Sequence, residues 1–155
     1  MLGTLPPIKG VSAYNKEFIS ALVCFMDVDF LGFKVLYPEW LFPGGASTER
    51  SDPLFETIDS PRLNRREFVT WYNPFSWMMA GLAVKTKIFH IHWWTYYLFP
   101  VIFTAVAVAK IRRKLIVVTV HNVVSHETNI LDEICSRLIY LLSDKLIVHS
   151  DVNKI

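Results

Sequence analysis

Cysteine is scarce in this chain, net charge is small, and the opening residues carry no leader-like pattern. The 155 residues hold two cysteines, Cys24 and Cys135, and a formal net charge of +2. Both cysteines fall in apolar helical patterns. That argues against a disulfide framework and fits buried free thiols in a reducing, cytoplasmic compartment. The near-neutral balance gives no argument for a nucleic-acid partner. The opening run Met1-Leu2-Gly3-Thr4-Leu5-Pro6-Pro7 lacks a basic segment and breaks on prolines, so it does not read as a secretory signal. Neither a P-loop nor a G-x-G-x-x-G fingerprint is present. Internal repeats and low-complexity tracts are absent too.

One absence needs a membrane check. From Ile88 to Ala109 there is no Asp, Glu, Lys or Arg, and about 20 apolar residues suffice to span a bilayer. The run nevertheless holds His90, His92, Thr95 and Pro100. It divides into a strand, Lys87 to His92, and a helix, Tyr96 to Lys110, ending on basic residues. A peripheral membrane contact through this apolar helix and its basic end is therefore the expectation, with a small membrane-spanning protein as an alternative.

What the chain does have is apolar content, at 52% hydrophobic and 14% aromatic residues. One domain's worth of core is available. A helix is expected from Val11, with Val11, Tyr14, Phe18, Ala21 and Leu22 on one stripe. Val28 to Val35 reads as a strand. Tyr37 to Leu63, rich in Pro, Gly, Ser and Asp, reads as a long loop. Asn73-Pro74 reads as a helix cap with proline in the first turn, leading through Met78, Met79, Leu82 and Ala83. A strand at Leu115 to Val120 follows, then a helix with Ile130, Ile134, Leu138 and Leu141 or Leu142 on its apolar face, then a strand at Lys145 to His149. Two basic clusters, Arg62-Arg65-Arg66 and Lys110-Arg112-Arg113-Lys114, read as a solvated loop and a solvated helix end. The alternation of strand and helix predicts an α/β, Rossmann-like parallel sheet flanked by helices. Both ends look cut, with only Met1 to Thr4 before the first loop, so residues 1–155 read as one lobe of a larger protein.

The chemistry-bearing residues gather at strand ends. Thr119-Val120-His121-Asn122 and His126-Glu127 sit at and past the carboxyl end of one strand, the edge where open α/β sheets bind ligands. His121 can hydrogen-bond a hydroxyl or phosphate, or act as a base. Glu127 can equally be a favourable acid at a helix start. His90 and His92, two apart on a strand, share a face. They suit either a core role or an H-x-H metal pair completed by His121 or His126. Trp93 and Trp94 beside them suggest an apolar or sugar-stacking rim. Lys9-Gly10 before a helix start lets backbone approach an anion. His149-Ser150-Asp151 ends the last strand at the same edge, with Ser150 a ligand contact or a helix cap.

Together these segments resemble the N-terminal lobe of a GT-B glycosyltransferase of the family 4, or group 1, kind. The matching pieces are Pro7-Ile8-Lys9-Gly10-Val11-Ser12-Ala13-Tyr14, Ile88-Phe89-His90-Ile91-His92, Thr119-Val120-His121-Asn122 with His126-Glu127, and Ser143 to Ser150. The resemblance implies an acceptor-side lobe of a retaining transferase that uses a nucleotide-sugar, a UDP- or GDP-sugar, with no bound cofactor and no metal. It places His121 at the reacting sugar and Lys9, Gly10 and Ser150 near the donor phosphates or sugar. Acceptor contacts would come from His90, His92, Trp93, Asn122, His126 and Glu127. Lys9 stands where many members carry a second glycine. The family's paired-glutamate motif and nucleotide site belong to a second lobe absent from these residues. The expectation is therefore a lobe inactive alone, with a sugar or lipid-linked acceptor as partner and self-association through an exposed interlobe face. A metal-dependent hydrolase using His90, His92 and His121 is the alternative enzyme.

Overall fold

The computed structural model describes residues 1–6, 8, 11–36, 38, 58–121 and 130–149. They form an α/β fold with six strands, and every described strand pairing is parallel. The expected Rossmann-like class is what the chain adopts. Two compact units divide it, Met1–Ser76 and Trp77–Ile155.

In the first unit the strands are β1 (Leu2–Gly3), β2 (Val28–Val35) and β3 (Leu63–Thr70), ordered β3-β2-β1. The opening residues do form a strand after all: Leu2 pairs with Leu31 and Gly3 with Gly32. Helix α1 (Ser12–Leu22) lies between β1 and β2 in the chain. Its fully buried residues are Ser12, Asn15 and Ile19; of the anticipated stripe, Phe18 and Leu22 are half-buried and packed against the core, Val11 and Tyr14 are half-buried, and Ala21 is exposed. Two of those buried positions are polar because backbone needs them. The Asn15 amide donates to the Thr4 carbonyl at 2.8 Å, and the Ser12 hydroxyl donates to the Ile8 carbonyl. A buried carbonyl without a donor is costly, so a polar side chain can outcompete an apolar one there. Ile19 completes the face against Met1, Leu5, Val28 and Phe30.

Strand β3 runs where the sequence suggested a solvated basic loop. Its charges conceal it: Arg65, Arg66 and Glu67 interrupt the apolar pattern, as suits an edge strand. Arg66 pairs with Asp29 on β2 at 2.7 Å and Arg65 pairs with Glu67. Arg62 closes the end of α1 instead, donating to the Val23 and Cys24 carbonyls at 3.4 and 3.0 Å. Cys24, just past that helix end, is exposed rather than buried; Cys135 is half-buried, and both are free thiols.

Helix α2 (Pro74–Leu82) starts as its sequence dictates, with the Asn73 side-chain oxygen accepting from the Phe75 amide at 3.1 Å. The second unit then holds β4 (Ile88–Trp93), α3 (Phe99–Ile111), β5 (Leu115–Val120), α4 (Ile130–Leu142) and β6 (Lys145–Val148), in the sheet order β4-β5-β6. The apolar run that raised the membrane question is thus a strand, a 3-10 turn at Tyr96–Leu98 and a 13-residue helix with proline in its first turn. Among the described residues no helix is long and apolar enough to cross a membrane.

Alternation along β4 and β5 fills one face with Phe89, Ile91, Trp93, Ile116, Val118 and Val120, all buried. Helix α3 is buried as well, through Val101, Ile102, Ala105, Val106 and Ala109. This corrects the expectation that α3 offers an exposed apolar surface. Each large side chain so buried contributes about 1.5–3 kcal/mol. Helix α4 reverses its anticipated face. Ile130, Ile134, Leu138 and Leu141 are exposed, and Ile139 is the buried residue. The apolar stripe was legible, but which side of the helix meets the core was not. Its inner side is set by Ile139 and by Ser136, which receives a hydrogen bond from the sheet.

The second basic cluster is more structural than a solvated helix end. Lys110 pairs with Asp144 at 2.5 Å, Lys114 donates to the Lys85 and Thr86 carbonyls, and Arg112 donates to the Gly81, Leu82 and Val84 carbonyls. Arg113 adopts a left-handed φ of 58° as α3 ends.

Candidate functional site

Parallel register assembles the site. Along β4 and β5, His90 sits opposite Val117 and His92 opposite Thr119; between β5 and β6, Thr119 sits opposite Ile147 and Val120 opposite Val148. Residues two apart share a face, so His90, His92, Thr119, His121 and His149 fall on one side of these three strands. Their positions progress toward the carboxyl ends. His121 continues the ladder by donating its amide to the Trp93 carbonyl at 2.9 Å.

The four imidazoles form a row. Ring centroids lie 4.8 Å apart for His90 and His92, 5.2 Å for His92 and His121, and 4.9 Å for His121 and His149. Two side-chain hydrogen bonds tie the row down. His90 Nε2 lies 2.7 Å from the Thr119 hydroxyl, and His92 Nδ1 lies 2.9 Å from His121 Nε2. In a neutral pair one of those ring nitrogens donates and the other accepts, so the tautomer of each ring constrains its neighbour's. Exposure is least at His92, which is 1% exposed; its neighbours His90 and His121 are half-buried, and His149 at the strand end is exposed.

Burial keeps the inner rings uncharged. Desolvation, with the neighbouring histidines adding to it, lowers His92 to about 2. Desolvation lowers His90 to about 4, and desolvation reinforced by His149 lowers His121 to about 4. At neutral pH these three rings are therefore hydrogen-bonding groups and not cations. His121 can orient a hydroxyl or an oxygen of a bound anion, but it brings no fixed positive charge to it.

His90, His92 and His121, singled out from sequence, are thus brought together. Trp93 is not. It points to the opposite face, is 1% exposed, donates its indole N–H to the Ser136 hydroxyl of α4 at 2.9 Å and meets Phe99 edge to face. A stacking role on a ligand is replaced by a core role. Lys9, Gly10, Asn122, His126, Glu127 and Ser150 lie outside the described residues. Helix α1 does begin at Ser12, directly after the Lys9-Gly10 loop.

Thr119 and His149, which the sequence places at the same sheet edge without a role of their own, join the row through His90 and His121. A strand partner is invisible in sequence until the register is known. Once Val120 is paired with Val148, the histidine following each becomes a neighbour. The metal reading was tied to His90, His92 and His121. Their geometry differs from a ligand set, because the two closest ring nitrogens face each other at hydrogen-bond length instead of converging on a common point about 2 Å from each. Among the described residues no group of three or more His, Cys, Asp or Glu side chains is disposed to hold a metal ion. In comparisons with known proteins, the chain matches no family model, no curated protein and no solved structure.

Proposed function

We propose that this chain is the acceptor-side lobe of a retaining glycosyltransferase that uses a UDP- or GDP-sugar, with the histidine row at the reacting sugar. The observation that carries the reading is the placement of His121. It lies directly past the carboxyl end of β5, its ring is fixed by His92, and it is flanked by His149. Carboxyl ends of parallel strands are where open α/β folds bind ligands, and a fixed neutral imidazole suits the recognition of sugar hydroxyls.

In the transfer, the bond between sugar C1 and the diphosphate oxygen breaks and a bond from C1 to the acceptor oxygen forms. The acceptor's proton leaves with the nucleoside diphosphate. His121 holds a hydroxyl of the reacting sugar in place; His92 sets the orientation of the His121 ring and is a positioning residue. His90 and Thr119 anchor the row from below.

Calorimetric titration of the chain with free hexoses and hexose 1-phosphates, the part of the reaction partners this lobe would meet, beside a titration with zinc, tests the reading. The expected outcome is saturable sugar binding that weakens about tenfold or more in His121→Ala, the loss of one well-placed hydrogen bond in a ligand site. Stoichiometric zinc binding with no sugar binding would replace it with the metal-dependent hydrolase.

A further inference from the structure

Helix α2 exposes most of its large apolar residues. Four of its five large apolar residues, Phe75, Met78, Met79 and Leu82, follow the i, i+3, i+4, i+7 spacing of a single helix face, and all four are exposed, at 77, 45, 53 and 48%. The opposite side carries the half-buried Trp77 together with small residues: Ser76 and Ala80 are buried, and Gly81 is so close to α3 that a Cβ there would lie 2.5 Å from the Ala105 carbonyl oxygen. Thus α2 packs through Ser76, Trp77, Ala80 and Gly81 and presents its other large apolar residues outward. A folded chain ordinarily hides such a stripe, and one left exposed marks an interaction surface.

The charge around the stripe identifies the partner's chemistry. Lys85 and Lys87 follow α2 directly and are exposed. The α3 terminus adds Arg112, whose guanidinium donates to the Gly81 and Leu82 carbonyls and so sits at the carboxyl end of α2. No Asp or Glu occurs in the chain between Glu67 and Glu127, so α2, α3 and the segments joining them to β4 and β5 carry cations alone. The exposed stripe of α4 forms a contrast, since it begins with Asp132 and Glu133 in its first turn, which an anionic surface would repel.

We propose that α2 is a membrane-docking helix that lies in the headgroup layer of an anionic bilayer, with Phe75, Met78, Met79 and Leu82 inserted and Lys85, Lys87 and Arg112 against lipid phosphates. An in-plane amphipathic helix with a basic border is the arrangement that binds such surfaces. The exposed apolar element is α2, not the longer and more apolar α3. The inference is independent of the transferase reading, since it needs no bound sugar.

Vesicle co-sedimentation of the chain tests it, using phosphatidylcholine alone and phosphatidylcholine containing about one-third phosphatidylglycerol. Binding is expected to the anionic vesicles only, and to weaken strongly when salt is raised to about 0.5 M. The exposed-site variants Met78→Glu with Met79→Glu, and separately Lys85→Glu with Lys87→Glu, are each expected to reduce partitioning at least about tenfold, with near-ultraviolet circular dichroism unchanged. Absence of vesicle binding, or binding that both variants retain, overturns the proposal. So does a concentration-dependent dimer that Met79→Glu dissociates, which would assign the stripe to a protein interface.

Discussion

His92 and His121 meet nitrogen to nitrogen, 2.9 Å apart, with one ring 1% exposed and the other half-open to solvent. The buried ring is held by the sheet and in turn holds the more accessible one. This makes the accessible ring stiff without a carboxylate partner. A neutral imidazole propped by a neutral imidazole keeps its hydrogen-bonding role over a wide pH range above the low values that burial imposes on both.

His92→Ala should therefore act in two ways. It empties a buried site between β4 and β5 and removes the prop of His121. Urea unfolding is expected to show a loss of about 2–4 kcal/mol, in the range of large-to-small changes at buried positions. A loss below about 0.5 kcal/mol, the scale of a surface change, would mean that the row is not packed as described.

Acid should unfold this protein earlier than its carboxylates require. A histidine whose folded pKa is depressed binds fewer protons folded than unfolded between the two values, so stability rises with pH across that window. For His90 and His121 the window runs from the ordinary 6.5 down to about 4. Their contribution is intact above about pH 6.5, falls as pH drops, and is fully lost near pH 4. His90 alone represents about 3 kcal/mol at most. Chemical denaturation between pH 7.5 and 4 is expected to show this slope, and His90→Gln to flatten it. A pH-independent midpoint over the window would contradict the burial of the row.

Gly81→Val should be among the most damaging single changes outside the histidines. Its Cβ would lie 2.5 Å from the Ala105 carbonyl oxygen and 2.7 Å from Val108 Cβ, which are backbone and branched side chain and cannot swing aside. Overpacking of this kind costs about 1–3 kcal/mol or more, and thermal melting should show it. Met79→Ala on the outer side of the same helix should leave the melting temperature nearly unchanged. If both variants melt alike, α2 does not pack through Gly81.

The sequence-level reading was strongest where periodicity and punctuation agree. Asn73-Pro74 marks α2, and Leu115 to Val120 is β5 to the residue, because a β-branched run ended by polar residues has few alternatives. It failed where tertiary demands override local pattern. Strand β3 is hidden by Arg65, Arg66 and Glu67, charges that only an edge strand tolerates. Asn15 and Ser12 face inward because the Thr4 and Ile8 carbonyls need donors, which no hydrophobic pattern registers. Helices α2 and α4 have clear apolar stripes, yet amphipathicity does not say which side meets the core, and in both the stripe is exposed while Trp77 and Ile139 lie on the inner side. At the site, the two-residue spacing placed His90 and His92 on one face directly. Thr119 and His149 needed the strand register, a long-range property.

The most direct test of the histidine row as a sugar site is heteronuclear NMR of the chain with isotope-labelled histidine rings, titrated with free hexoses and hexose 1-phosphates at constant pH. The His121 and His149 ring signals are expected to shift progressively with ligand while those of His92, shielded in the sheet, move least. Ring signals that stay fixed at high sugar concentration would contradict a sugar site, as would ring signals that respond to zinc alone.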